Sequence, residues 1–220
     1  MVQARLDPVN SSDSGSCGCL TLLAAMRLDD VQPIRYGDVL VEGERWPGYI
    51  HVVEHPQGRV LVDTGLIDST PELDEEWSPR FDPDAIPRDV VCVINTHLHF
   101  DHCGGNRLFA GTPIYVQRVE REAAQAEDYT IPEWVEFDGA TYVELDGERE
   151  LMPGLRVVPT PGHTPGHQSV LVETDDGLAV VAGDVAYTWD EFDAPGNEAA
   201  ATLTSLSPSR IWLAHESRPR

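Results

Sequence analysis

Lysine is absent from these 220 residues. All fifteen basic side chains are arginines, set against 38 acids, for a formal net charge of −23. Phosphate backbones and anionic bilayers are bound by clustered cations, so neither nucleic acid nor a membrane surface is an expected partner. Cysteine is scarce: Cys17, Cys19, Cys92 and Cys103 show neither CxxC zinc-ribbon spacing nor a disulfide framework. Long hydrophobic runs are missing too. Leu20 to Met26 is too short to span a bilayer, and no basic segment followed by an apolar one marks an export signal. A cytoplasmic protein with reduced thiols is the expectation. Without a GxGxxG or Walker loop, nucleotide binding has no support. The Ser-, Asp- and Gly-rich stretch 1–18 reads as a flexible segment, and 19–220 as one folded domain.

What is present alternates between strand and turn. Tyr49 to Pro56 and Gly58 to Gly65 read as strands joined at Pro-Gln-Gly like a hairpin. Residues 69–89 are acidic and proline-broken, a loop with room for a short helix. Asp89 to Thr96 is a near-continuous apolar run, suited to a strand covered on both faces. Further strands are expected at Thr112–Gln117 and within ATYVEL, LRVVPT, SVLVET, LAVVAGD and RIWLAH, with a helix at Val119–Asp128. The order fits a mixed α/β sandwich better than a doubly wound sheet.

The apolar run from Asp89 ends in THLHFDHCGG, which places three histidines and an aspartate between positions 97 and 102 of a chain with eight histidines in all. His97 and His99 are two apart, so an extended backbone turns both toward one side and sends Leu98 to the other. Asp101 and His102 follow where the two glycines allow a tight turn. Imidazoles with a carboxylate suit a borderline cation such as zinc. One loop cannot complete two metal sites, and three more donors follow, each at the end of an expected strand: His163, Asp184 and His215. The remaining polar groups read more plainly. Cys103 is a small filler, His167 a local hydrogen-bonding residue of its Pro-Gly turn, and His51 and His55 surface residues of the first hairpin.

HLHFDHCGG, PGHTPGHQS, AGD and the late LAHE resemble, in order and spacing, the metallo-β-lactamase superfamily. The resemblance covers about Val39 to His215. It implies an αββα sandwich of two mixed β-sheets flanked by helices, with two divalent metal ions: zinc, or iron, manganese or cobalt in its place. Carried over, it implies that His97, His99 and His163 hold one metal and that Asp101, His102 and His215 hold the other. Asp184 then bridges both, and Asp63 of VLVDTG orients a ligand histidine. A narrower likeness, carried by HLHFDHCGGN, TPIYVQR and its acidic helix, PGHTPGHQS and GDVAY, is to the N-acyl-homoserine lactonases. That likeness implies a small-molecule lactone substrate. It makes Tyr187 a contact of the ring carbonyl, Phe100 a substrate contact, and Trp46 of RWPGY a candidate for the acyl-chain pocket. The implied reaction is attack by a metal-activated hydroxide, with Tyr187 stabilising the oxyanion and Asp101 passing a proton to the leaving alkoxide.

The lactonases are matched poorly before Tyr49, and the segment between Asp184 and His215 reads as short of helix. A glyoxalase-II-type thioesterase, or another ester hydrolase of the same fold, is the second expectation. It ranks lower because that group adds a helical region for glutathione after its last motif. An iron-dependent oxidoreductase such as a persulfide dioxygenase is the third, since carboxylate and imidazole also hold iron.

Overall fold

The computed structural model describes residues 26–220. The expected segment 1–18, the domain start at 19, and Cys17 and Cys19 lie outside the described residues. Within them, twelve strands form two sheets. The first sheet comprises β1 (Val31–Val41), β2 (Glu44–Val53), β3 (Val60–Val62), β4 (Arg80–Phe81), β5 (Cys92–Ile94), β6 (Pro113–Gln117) and β7 (Thr141–Leu145). Their spatial order is β4-β1-β2-β3-β5-β6-β7. The second comprises β8 (Arg149–Met152), β9 (Leu155–Pro159), β10 (Gln168–Thr174), β11 (Gly177–Val181) and β12 (Arg210–Trp212), ordered β12-β11-β10-β9-β8. Both are mixed. In the first, β3, β5, β6 and β7 run parallel while β1 and β2 are antiparallel; in the second, only β11 and β12 run parallel.

The apolar runs follow from layering. On β3 and β5, Val60, Val62, Cys92 and Ile94 point between the sheets, against Val157, Val170, Val172 and Val181 of the second sheet. Leu61 and Val93 point the other way, into an outer layer with Leu73 of α1 (Pro71–Glu76). Behind the second sheet, Leu171 and Val180 meet Phe192 and Leu203. Both faces of the central strands are therefore dry, and on β3 and β5 the period-two alternation of apolar with polar residues disappears. Each fully buried Val or Ile contributes roughly 1.5–3 kcal/mol.

Several expectations needed correction. First, β1 is an eleven-residue strand where none was expected, because Pro33 and Gly37 break its strand signal. The strand read as starting at Tyr49 begins at Glu44. Second, the segment between Asp184 and His215 carries α5 (Trp189–Phe192) and α6 (Glu198–Ser205), after α2 (Phe100–Cys103), α3 (Arg118–Ala123) and α4 (Pro132–Val135) earlier in the chain. The helix expected at Val119–Asp128 is the shorter α3. Third, the run Asp89–Thr96 is strand only at its centre, in β5.

Fourth, His51 and His55 are buried, not on the surface. His51 pairs with Val62, whose side chain faces the inter-sheet layer, and its ring meets Trp212 at 6.0 Å between centroids. His55 accepts from the Gln57 N–H and faces the Pro153 carbonyl at 3.1 Å. Burial lowers the His51 pKa from 6.5 to about 3. The unfolded state therefore binds the extra proton between these values, and this contribution to stability is lost as pH falls through that window. For this residue alone the loss from pH 7 to pH 5 is about 2 kcal/mol. His51→Leu is expected to remove that much of the acid sensitivity, read from urea unfolding at both pH values. An unaltered difference between the two would contradict a neutral buried His51.

Candidate metal centre

The donors gather at one edge of the sandwich because each follows a strand that ends there. Asp63 follows β3, the 97–102 loop follows β5, and His163, Asp184 and His215 follow β9, β11 and β12. His163 Nε2 lies 3.2 Å from His97 Nε2 and 2.9 Å from His99 Nδ1. Asp184 Oδ2 is 3.3 Å from His102 Nε2, 3.4 Å from His215 Nε2 and 3.6 Å from His163 Nε2. Asp101 Oδ2 closes the far side, 3.6 Å from His215 Nε2 and 3.7 Å from His102 Nε2. Three sets of donor atoms lie within 4.8 Å of one another: His97, His99 and His163; His97, His102 and Asp184; Asp101, His102 and His215. The structure thus brings all seven side chains together, with Asp184 between the two histidine groups.

Residues 43–215 match the model of the metallo-β-lactamase superfamily. The chain belongs to the metallo-β-lactamase superfamily. It is 35% identical over 168 residues to an N-acyl homoserine lactonase of Bacillus cereus, a match covering 67% of each protein. Among solved structures it resembles a mutant of the Bacillus thuringiensis lactonase AiiA with N-decanoyl-L-homoserine bound at the active site. The TM-score is 0.71 at 26% identity, over 85% of this chain and 93% of that one. A further structure, of an N-acyl homoserine lactone hydrolase with its product N-hexanoyl-L-homoserine bound at the catalytic metal centre, matches with the same TM-score and identity over 85% and 92%. The chain is a hydrolase of this fold, with the expected αββα layering.

The superfamily implies divalent cations, and the residues present fit them. Asp184 Oδ1 and His102 Nε2 are buried without a hydrogen-bond partner. Such orphaned lone pairs cost about 1–3 kcal/mol each unless something takes them up. His163 Nε2 converges with His97 Nε2 and His99 Nδ1, as ligand nitrogens do around a common cation. The charge balance agrees. Burial depresses the His97 and His163 pKa values, keeping both imidazoles neutral and able to donate a lone pair. Burial also works against protonated His102 and His215, but Asp184 and Asp101 outweigh it and hold both above the usual imidazole value. Burial opposes the Asp184 charge in turn, and His102 and His215 hold its pKa well below the carboxylate range. A divalent cation held by these residues would take over the charge balance that the proton supplies here.

Supporting groups orient the rings. Asp63 Oδ2 is 2.9 Å from His102 Nδ1, and Asp63 also accepts from the Thr96 N–H and hydroxyl at 2.7 and 2.8 Å. With Nδ1 engaged, Nε2 of His102 points into the cluster. Asp63 holds a left-handed backbone (φ 60°), a conformation that Asp tolerates better than most residues. The Pro47 carbonyl, 3.0 Å from His215 Nδ1, does the same for that ring. It is brought there because the Tyr49 N–H donates to the Ala214 carbonyl and docks the final loop on β2.

His167 corrects a further expectation. It is not confined to its own turn: its Nε2 accepts the Asp184 N–H at 3.1 Å, while Nδ1 lies 2.9 Å from the Thr160 hydroxyl. Gly183 makes that approach feasible, having a positive φ of 61° and leaving no room for a Cβ, which would lie 2.8 Å from His167 Nε2. Thr96 and the Pro47 carbonyl were not legible in the sequence, and of His167 only the local role was; a threonine beside a motif and a main-chain oxygen carry no signature of their own. Cys103 is fully buried, and its thiol is pushed up to about 12 by burial, in keeping with a filler.

The cluster floors a cleft of about 1190 Å³. Val39, Val41, Trp46, Leu73, Trp77 and Phe100 line one side. Trp46 meets Tyr187 with ring centroids 5.4 Å apart, and Trp77 meets Phe100 at 5.8 Å. The Tyr187 hydroxyl stands 3.3 Å from His163 Nδ1. Burial, then Asp184 and Asp101, raises the Tyr187 phenol to about 12, so it keeps its proton at neutral pH.

Proposed function

We propose that this chain opens the lactone ring of N-acyl homoserine lactones, with His97, His99 and His163 holding one divalent cation and Asp101, His102 and His215 a second, Asp184 between them. The observation that carries this reading is the Tyr187 hydroxyl, beside the seven-donor cluster and at the root of an apolar cleft wall. When bound there, the cations, zinc first among them, would acidify a water to a pKa of about 7 and polarise the ring carbonyl.

The protein's own groups divide the remaining work. With His163 Nε2 turned to the cluster, its Nδ1 carries the proton and donates to the Tyr187 oxygen. The phenol hydrogen is then free to donate to the carbonyl oxygen as it gains charge. Asp101, at the edge of the cluster and only 9% exposed, accepts the proton of the attacking water and returns it to the departing ring oxygen. The product is an acyl-homoserine whose acyl chain lies along Trp46 and Phe100. Arg121 is the only arginine lining the cleft among the described residues, and Glu136 engages it. A glutathione thioester, with two free carboxylates, finds no open cation there.

The test is a substrate panel on protein of measured metal content, comparing acyl-homoserine lactones, lactoylglutathione and nitrocefin. Lactone opening by protein carrying two divalent ions per chain is expected to dominate. Faster turnover of lactoylglutathione would overturn the reading, and a single bound iron with no hydrolysis would replace it with an oxidoreductase.

A further inference from the structure

Glu120, on α3, is a fully buried carboxylate with no part in the ligand set above. An anion in that position is costly unless hydrogen bonds replace its hydration. Four donors do so, two on each oxygen. Oε1 accepts the Leu98 N–H at 2.9 Å and the Tyr129 hydroxyl. Oε2 accepts the Thr164 hydroxyl at 2.8 Å and the Gly166 N–H at 3.1 Å.

The origin of the donors gives the arrangement its meaning. Leu98 separates His97 from His99, and Thr164 directly follows His163. Tyr129 lies against the His99 ring, with centroids 5.0 Å apart. Gly166 packs so tightly on α3 that a Cβ there would fall 2.3 Å from the Glu120 nitrogen. One carboxylate therefore ties together two loops, 66 residues apart between His97 and His163, whose histidine nitrogens approach to 2.9–3.2 Å. Asp101, His102 and His215 receive no bond from it, so its reach is confined to one side of the cluster.

We propose that Glu120 is a positioning residue that sets the spacing of His97, His99 and His163 for one cation. The assignment rests on reading those three histidines as a shared ligand set. A carboxylate is needed because all four partners donate. Glutamine would turn an NH2 group toward two N–H or O–H donors and push one loop away.

The experiment is competition of zinc and cobalt(II) against a chromogenic chelator, on the full chain. The wild type is expected to bind in two steps, one of which His163→Ala abolishes. Glu120→Gln should weaken that same step about 10- to 100-fold, the range for losing a group that orients a ligand. The other step should stay in place, and the cobalt(II) visible spectrum should change. Thr164→Val removes a single donor and should weaken the same step toward the lower end of that range, which decides the matter if the glutamine variant does not fold. Unchanged affinity, or equal weakening of both steps, would overturn the role of Glu120 and leave the ligand assignment standing. A wild type without two steps would sink the ligand assignment itself, and Glu120 with it.

Discussion

Asp184→Asn is expected to strip the cluster of its divalent cations and to lower lactone hydrolysis more than about 100-fold, beyond the range for losing a merely supporting partner. Asp184 Oδ2 stands within 3.3–3.6 Å of nitrogens from His102, His215 and His163, and among the described residues no other carboxylate reaches all three. An amide has nearly the same shape but no charge, and half its rotamers present an N–H to the cations. A second effect is expected in the metal-free protein. His102 and His215 are held above the usual imidazole value against burial, chiefly by Asp184. Removing one partner of a buried ion pair costs about 3–5 kcal/mol. The sign is set by the raised imidazoles: their contribution is fully present below the unfolded histidine value and fades as pH rises through the folded values. The stability deficit of the variant should therefore be larger at pH 6 than at pH 9. Elemental analysis, kcat/KM and urea unfolding at the two pH values check these expectations. A variant that keeps two metals and its activity would remove Asp184 from the bridging position.

Tyr187→Phe should lower kcat about 100-fold, with KM little changed. A donor aimed at the developing oxyanion acts in the transition state rather than in substrate binding, and loss of one such donor costs about 100- to 1000-fold. The lower figure is appropriate because a cation held by the cluster would share the charge. The same hydroxyl is a partner of His163 Nδ1, so the assay must be run at saturating metal to separate the two roles. Because burial and the neighbouring carboxylates raise the phenol to about 12, the metal-free protein should show no Tyr187 phenolate below pH 10, read as the difference in ultraviolet absorbance between wild type and Tyr187→Phe. Equal kcat for both proteins, with metal bound, would leave Tyr187 as a packing partner of Trp46.

The legible parts of this protein were those in which side-chain type carries the information. HLHFDH announces a cation site through residue chemistry alone, the apolar run around β5 announces a strand covered on both faces, and those around β10 and β11 announce strands. β1 was missed because Pro33 and Gly37 interrupt its pattern, although pairing with β2 along ten positions overrides both. His51 and His55 were misplaced because a hairpin seen in isolation has a wet face, whereas β2 lies inside a sheet with a second sheet packed over it. His167 looked local because nothing in its own turn points to residue 184.

The sequence by itself determined the kinds of donor, their order along the chain, and the strands that carry them. Only the tertiary structure decided which donors meet. Asp63 with His102, Pro47 with His215, and His167 with Asp184 are contacts across 39, 168 and 17 residues. The physical reason is that a ring's free nitrogen depends on which acceptor claims the other one, and that acceptor arrives only when the two sheets close on their shared core.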